Sequence, residues 1–176
     1  MTAVEHEARL HPALLAFLEE HAIRHEVLGG LLIVHPLATF AEADLAVTVL
    51  AQLRLASPPE LAVLGSNFGY FYDPPSWVCP DITVARRADC VREGTYAPPL
   101  IVVEALSPSN GRRDLLGKRT LYAAAGVPQY WIIDPDEPRL TVLTLTDGTY
   151  VQTATVAGRE ELYVTEPYEV TIRLQR

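Results

Sequence analysis

The stretch LIVVEALSPSNGRRDLLGKRTLYAAAGVPQYWIID, residues 100–134, decides the fold because it predicts a strand, a helix and a second strand in succession. Its opening run, LIVV, has the apolar pattern of a buried strand. Ser109 is a good helix N-cap, and Gly126, with a proline two residues later, ends the helix that follows. QYWIID then predicts the second strand, which ends at the turn-rich DPDEP.

The flanking sequence predicts elements on both sides of this stretch. The upstream elements are a helix at 11–22, a hairpin that turns at Gly29 and Gly30, a helix at 38–56, and strands within 60–73 and 77–85. Downstream, RLTVLTL and YVQTATV form a hairpin through Asp147 and Gly148, and VTIRL is the last strand. The predicted fold class is therefore α/β (α+β): one domain over 1–176, with a mixed central β-sheet flanked by helices and with N-terminal and C-terminal β-hairpins.

The composition indicates one core in a reducing compartment. With 176 residues, 49% of them hydrophobic, the chain can bury a single ordinary core. No apolar run approaches the ~20 residues needed to cross a bilayer, and MTAVEHEARLH lacks the pattern of a signal peptide. Cys79 and Cys90 are too few for a disulfide framework. We expect a cytoplasmic protein.

The charge is acidic overall and basic in one segment. A net charge of −8 excludes a protein whose whole surface binds nucleic acid, because phosphate binding depends on Lys and Arg. Seven of the 14 basic residues nevertheless lie within 86–119, against four acids. That segment is either a phosphate-binding surface or a solvated loop and helix face.

Two carboxylates stand beside predicted strands. Glu104 follows LIVV directly, where burial is costly unless the carboxylate binds a cation, accepts hydrogen bonds or stays protonated. Asp81 opens the strand ITVA, where a residue can also simply be exposed. Carboxylates on adjacent strands can jointly hold Mg²⁺, with water and a substrate phosphate completing its shell. Phosphodiester hydrolysis uses such a site.

Lys118 is the only lysine, since the other 13 basic residues are arginine. Asp114, Lys118 and Tyr122 recur at a spacing of four, which places them on one helix face. One interpretation is an exposed Asp–Lys pair worth about 0.3–0.5 kcal/mol. The other is a compact charge that orients or deprotonates a nucleophilic water, a role that guanidinium fills badly.

These motifs together resemble the Uma family of restriction endonucleases, within the PD-(D/E)XK nuclease superfamily. The resemblance lies in PD at 80–81, in the run from PPLIVVEAL to QYWIIDP at 98–135, and in the upstream hairpin HEVLGGLLIVHP. It covers most of the chain and implies a restriction endonuclease-like fold, with a metal site on two central strands. By this resemblance Asp81 is the motif aspartate, Glu104 is the following acid, and Ala105 lends its backbone carbonyl to the metal.

One departure from the superfamily pattern concerns the lysine. Leu106, not a lysine, stands two positions after Glu104. In this family the lysine comes from the next helix, where Lys118 matches. The resemblance therefore implies Asp81, Glu104 and Lys118 as catalytic residues, with Mg²⁺ or Mn²⁺ as cofactor.

Other residues carry weaker predictions. The candidate phosphate contacts, which could instead solubilise the helix, are Arg112, Arg113 and Arg119. The weaker site candidates are Glu42, Glu26, Asp114 and Tyr122, and for Glu42 a solvated helix face is the favoured alternative. His21 and His25 stand four apart as a helical metal pair would, but no third ligand matches, which favours surface histidines. Trp77 and Trp131 are assigned to the core or an interface in preference to base stacking.

Two functions from different classes follow. The first is a metal-dependent endonuclease acting on nucleic acid, with DNA favoured, and as a homodimer if both strands are cut. The second keeps the fold without the reaction: a catalytically silent binding or regulatory module that acts through a protein partner, as the acidic charge suggests.

Overall fold

The computed structural model describes residues 7–9, 12–106 and 112–175, and the side chains within 12–106 and 116–175. The helices are α1 (Pro12–Glu20), α2 (Phe40–Ala56) and α3 (Arg112–Ala124), with a short 3-10 helix at Arg87–Asp89. The strands are β1 (Glu7–Arg9), β2 (His25–Leu28), β3 (Leu31–Val34), β4 (Leu61–Gly65), β5 (Gly69–Asp73), β6 (Ser76–Val78), β7 (Ile82–Arg86), β8 (Gly94–Thr95), β9 (Ile101–Ala105), β10 (Gln129–Asp134), β11 (Arg139–Thr146), β12 (Thr149–Ala157), β13 (Glu161–Val164) and β14 (Val170–Arg173). None of the described helices is long and apolar enough to cross a membrane.

The central sheet is mixed, which confirms the predicted fold class. Its strand order is β12–β11–β10–β9–β7–β4. Strands β9 and β10 run parallel, and the other neighbours are antiparallel. Parallel neighbours need a crossover connection, and α3 supplies it between them. The stretch 100–134 is therefore one strand–helix–strand unit, although its predicted cap at Ser109 lies outside the described residues.

The two faces of β9 are buried against different helices. Ile101 and Val103 lie in the core cluster that contains the buried side chains of α2. Val102 lies in a second cluster together with Tyr122 of α3. Because side chains alternate across a strand, Glu104 shares the face of Val102 and points toward α3. A carboxylate is thus carried into the layer between the sheet and α3.

Helix α2 begins with a capping box. The Thr39 side chain accepts a hydrogen bond from the Glu42 backbone N–H, and the Glu42 carboxylate accepts one from Thr39 in return. This satisfies two of the free N–H groups at the helix start. The helix predicted at 38–56 is confirmed, and the two prolines at 58 and 59 follow its end.

A second sheet, which the sequence did not predict, has the order β1–β3–β2–β6–β5–β8. It contains the predicted N-terminal hairpin, whose Gly29 and Gly30 adopt φ values of +58° and +83° as a two-residue turn requires. The prediction of one strand within 77–85 was wrong. That segment divides into β6 and β7, which belong to different sheets, and Pro80 between them has no N–H to offer to a ladder. Asp81 consequently lies where the chain passes between the sheets.

The C-terminal hairpin of β11 and β12 is confirmed, with Asp147 and Gly148 both at positive φ. The last predicted strand corresponds to β14, which pairs with β13 in a small two-stranded sheet. Val170 and Ile172 of β14 pack in the same core cluster as α2. Strand β13 was not predicted.

Candidate active site

A cleft of about 220 Å³ lies beside α2. Its walls are the first half of α2, the segment after β3, and the ends of β4 and β9. Its apolar lining comes mainly from the small and branched side chains of α2. The carboxylate, guanidinium and amine side chains that line it are those of Arg24, Glu42, Asp81, Glu104 and Lys118, and His35 lines it as well. Charged groups from five separate segments therefore meet in one cleft.

Strand pairing brings Asp81 and Glu104 together. Strands β7 and β9 are antiparallel neighbours in which Ile82 pairs with Val103. Asp81 directly precedes this pair and Glu104 directly follows it, so both enter the cleft at one end of the ladder. Asp81 is fixed there because its Oδ2 accepts a hydrogen bond of 2.8 Å from the Ala105 backbone N–H.

Arg24 is the second partner of Asp81. Its Nη2 atom donates to Asp81 Oδ1 at 2.9 Å and to the Cys79 carbonyl at 3.1 Å. The side chains of Arg24 and Asp81 are 28% and 19% exposed, so this ion pair remains in contact with solvent. Although burial opposes it, the charge of Asp81 raises the pKa of Arg24. The Asp81 carboxylate is thereby compensated without a metal.

Glu104 is buried against α3, with 3% of its surface exposed. Both of its oxygens lie 3.2 Å from Lys118 Nζ, and its Oε1 accepts a hydrogen bond of 2.7 Å from the Tyr122 hydroxyl. Burial, together with the nearby charges of Asp81 and Glu26, raises the pKa of Glu104 to about 7 in spite of Lys118. Additional positive charge in the cleft would favour the ionised carboxylate.

Lys118 joins two buried carboxylates. It is 1% exposed, and its Nζ atom lies 3.0 Å from Glu26 Oε2 and 3.2 Å from Glu104 Oε1. Of the two interpretations of the single lysine, the exposed pair is therefore wrong. The reason is that α3 packs onto the sheet with this face inward, so the amine lies over the carboxyl end of β9.

Glu26 of β2 anchors this network from the second sheet. It accepts a hydrogen bond of 2.7 Å from the Cys79 backbone N–H, and its Oε2 lies 3.0 Å from His35 Nε2. Complete burial would raise its pKa, but the Lys118 charge and the His35 and Cys79 hydrogen bonds lower the pKa of Glu26 to about 2. These contacts therefore favour the ionised form of Glu26.

The other predicted candidates divide into three groups. Glu42 lines the cleft and is 4% exposed, so the favoured solvated helix face was wrong; its Oε1 atom has no hydrogen-bond partner among the described residues. Arg119 donates to the Tyr150 carbonyl at 2.6 Å and is not among the cleft-lining residues. The side chains of Arg112, Arg113 and Asp114 lie outside the described residues.

Arg24 and His35 were missed as site residues. Each stands at one end of the N-terminal hairpin, where neither spacing nor composition marks it. The expectation of surface histidines was wrong for His25, which is 6% exposed, and the His35 side chain is 5% exposed. The signal that could have found His35 is its place at the end of β3, beside the strand that carries Glu26.

The residues of the cleft fit a divalent cation. No group of three or more His, Cys, Asp or Glu side chains is placed to hold a metal in the part of the chain that the structure describes. Mg²⁺ is commonly held by only one or two carboxylates plus water and substrate phosphate. Each Asp81 oxygen accepts one described hydrogen bond, which leaves it a lone pair. Burial, and after it the charges of Asp81 and Glu26, raise the pKa of Glu104, so a cation in the cleft would favour its ionised form. The unpartnered Glu42 oxygen lines the same space.

Comparison with known proteins agrees with the geometry. The sequence model of the family described as "Uma2: Putative restriction endonuclease" matches residues 11–175. Among solved structures, the crystal structure of "a putative nuclease belonging to DUF820" from Anabaena variabilis superposes with a TM-score of 0.68, at 15% identity and over 83% of each chain. At that identity the likeness shows a shared fold alone. The curated proteins include no matching sequence.

Proposed function

Because this chain belongs to the family described as "Uma2: Putative restriction endonuclease", we propose that it is a metal-dependent nuclease that hydrolyses phosphodiester bonds in DNA. The observation that carries the proposal is the meeting of Asp81, Glu104 and Lys118 in one cleft, from the residue before β7, from β9 and from α3. Two carboxylates and one amine in proximity can together hold a cation and position a water molecule for metal-assisted phosphodiester hydrolysis.

Each residue has a role in this proposal. Asp81, Glu104 and the Ala105 carbonyl would hold Mg²⁺ or Mn²⁺. When bound, the cation supplies positive charge to the scissile phosphate and lowers the pKa of a water molecule. Lys118 orients the attacking water and assists its deprotonation, and Tyr122 keeps the Glu104 carboxylate facing the cleft through its hydrogen bond.

Glu26 supports this chemistry by fixing the position of Lys118, and His35 in turn contacts Glu26. The Glu26 carboxylate lies 3.0 Å from the Lys118 amine and gives it a second acceptor in addition to Glu104. Because the lysine has two fixed acceptors, its flexible side chain is confined near the carboxyl end of β9. Glu26 is thus a positioning residue and not one that touches substrate.

Cleavage assays test the proposal directly. The wild-type chain is incubated with DNA, and separately with RNA, in the presence of Mg²⁺, Mn²⁺ or a chelator. Metal-dependent cleavage is expected, with loss of cleavage in Asp81→Ala and Lys118→Met. Matched controls are Asp136→Ala and Arg159→Met, whose side chains are exposed and should leave the rate unchanged. If both site variants still cleave, the assignment of Asp81 and Lys118 as catalytic residues is wrong.

A second function is supported by a specific observation. Asp81 is already paired with Arg24, and Glu104 with Lys118, so the two carboxylates are compensated without a metal. With a net charge of −8, the chain could then serve as a silent module that binds a protein partner. Titration calorimetry separates the two, because failure of Mg²⁺ and Mn²⁺ to bind at millimolar concentration would favour the silent module.

The quaternary structure belongs to the same proposal. We propose a homodimer, because one cleft cuts one strand and a two-fold axis presents a second cleft to the other strand. Sedimentation equilibrium measures this. A monomer at the concentrations at which duplex DNA is cut in both strands would contradict it.

A further inference from the structure

A second cavity, of about 600 Å³, adjoins the candidate active site. Arg24 lines both cavities, and its Nη2 atom bonds to Asp81 on one side and to the Cys79 carbonyl on the other. The second cavity is formed by α1, by strands β2, β5 and β6, and by the loop before β8. A polymer lying in the active-site cleft therefore has a pocket immediately beside it.

Aromatic side chains line this cavity, and their rings remain partly accessible. Phe71 and Trp77 line it, with ring centroids 6.2 Å apart, and both rings are half-buried. Tyr96 stacks on Phe71 at 5.1 Å and is 63% exposed. Their neighbours on the same strands, Tyr70 and Val78, are buried in the core, so alternation turns Phe71 and Trp77 to the other face. Trp77 also packs against a core cluster, so each ring offers a ligand only the part of its apolar surface that faces the cavity.

A buried histidine adds a polar group to this wall. His25 lines the cavity, and its Nδ1 atom donates to the Ile23 carbonyl at 2.8 Å. In the neutral ring Nε2 is then a hydrogen-bond acceptor, and it has no hydrogen-bond partner among the residues that the structure describes. The ring itself lies edge-on to Trp77, with the centroids 4.9 Å apart. Since buried polar atoms are nearly always satisfied, an unpartnered ring nitrogen in a cavity wall points to a ligand donor.

Charge decides which part of a nucleic acid fits. Glu19 and Glu93 line the cavity, so a phosphate group is repelled from it, whereas the N–H groups of a base edge are favoured. The guanidinium of Arg24 lies between the cavity and the cleft, where a backbone phosphate would pass. A flat ring with donor groups at its edge matches the aromatic walls, the histidine acceptor and the carboxylates together.

We propose that this cavity binds one unpaired nucleobase of the strand whose phosphate lies in the active-site cleft. The inference rests on the proposed function, since it assumes that the cleft binds nucleic acid. A base within a duplex is stacked and paired, so only a single strand, or a base turned out of the duplex, can reach the rings. Stacking on Phe71 and Trp77 tolerates any base, whereas His25 and the carboxylates select for edges that donate.

Binding without cleavage tests the inference. The full chain in EDTA is titrated with an eight-nucleotide single-stranded DNA of mixed sequence and with the same sequence as a duplex. The two tryptophans are Trp77 and Trp131, and Trp131 is fully buried. Quenching of tryptophan fluorescence by the single strand, and not by the duplex, therefore reports stacking on Trp77.

Two substitutions and one control sharpen the test. Trp77→Ala and Phe71→Ala should each weaken binding of the single strand by about 5- to 100-fold, as measured by anisotropy of a labelled oligonucleotide. Tyr163→Ala removes an exposed aromatic side chain of β13, 59% exposed, and should leave binding unchanged. Circular dichroism of each variant establishes that it folds, and Phe71→Leu provides a milder change if Phe71→Ala does not.

The outcomes separate this inference from the proposed function. Single-strand binding with quenching, but without cleavage of either the single strand or the duplex when metal is added, supports the base pocket and contradicts the nuclease. Metal-dependent cleavage that the two cavity variants leave unchanged, in both rate and affinity, overturns the base pocket and retains the nuclease. Absence of single-strand binding, or equal binding and quenching by the duplex, also overturns it.

Discussion

Replacing Lys118 by methionine tests the network at its centre. The substitution keeps an unbranched side chain but removes the ammonium that lies 3.0 Å from Glu26 and 3.2 Å from Glu104. The side chains of Glu26 and Glu104 are 0% and 4% exposed, so water cannot replace the lost charge. In the variant, the two carboxylates must either stay charged without their shared partner or bind protons.

The expected loss of stability can be worked from the structure. Lys118 is the largest of the contributions that lower the pKa of Glu26 against the effect of burial, and a lowered carboxyl pKa stabilises the folded state at neutral pH. Removing one partner of a buried ion pair costs about 3–5 kcal/mol in other proteins. We expect Lys118→Met to lower the free energy of unfolding by about 3–5 kcal/mol at pH 7, a large part of the typical total of about 5–15 kcal/mol.

Urea unfolding, followed by circular dichroism in the absence of metal, measures this loss. With an m-value of about 2 kcal/mol/M, the midpoint should fall by about 1.5–2.5 M. A double-mutant cycle with Glu26→Gln assigns the loss to the pair, because the second substitution should cost less once Lys118 is gone. Arg159→Met, at an exposed site, should change stability by less than about 0.5 kcal/mol. A loss below about 1 kcal/mol for Lys118→Met, or additivity within about 0.5 kcal/mol, would refute the reasoning.

Three further predictions concern single positions. Gly94→Ala should lower the free energy of unfolding in urea by about 1–3 kcal/mol, because a Cβ there would lie 2.1 Å from a carbonyl oxygen of β5. Gly117→Ala in helix α3, where nothing lies within 4 Å of the added Cβ, should raise the free energy of unfolding by about 0.5–1 kcal/mol. The folded-state pKa of Glu26 is lowered, so the stability that its charge contributes is present above pH 4.5 and declines as the pH falls toward 2. Between pH 5 and pH 3, the free energy of unfolding of the wild type should fall by about 2 kcal/mol more than that of Glu26→Gln. Equal dependence of the two free energies on pH would contradict this. Tyr122→Phe removes the 2.7 Å hydrogen bond to Glu104 and should raise the pKa of that carboxyl group above the wild-type value of about 7. Carbon-detected NMR titration measures this pKa, and an unchanged value in the variant would contradict the prediction.

Most of the elements that were predicted correctly are marked by residues close together in the sequence. The Gly29–Gly30 and Asp147–Gly148 turns, the capped helix α2 and the unit from β9 through α3 to β10 depend on interactions between residues close in sequence. Their residues therefore suffice to predict them. The short strands β1, β8 and β13 have no such signal, since two to four residues pair only with a strand that lies far away in the chain.

The candidate site was predictable in part. Glu104 stood out because a carboxylate within a buried strand needs a partner, and Lys118 stood out because it is the only lysine. Asp81 was assigned by family resemblance, and the register of β7 against β9 places it beside Glu104. Their catalytic roles remain predictions that the cleavage assays decide.

The sequence by itself determined which charged side chains needed a partner, because the free-energy cost of burying a charge depends on the residue type and on the local hydrophobic pattern. Only the tertiary structure decided what compensates them. Arg24, which directly precedes β2, and Glu26, within β2 of the second sheet, reach Asp81 and Lys118 across 57 and 92 residues of chain. The physical reason is that an ion pair needs proximity in space and carries no signature in sequence, so the partners appear only once the elements of the two sheets are folded together.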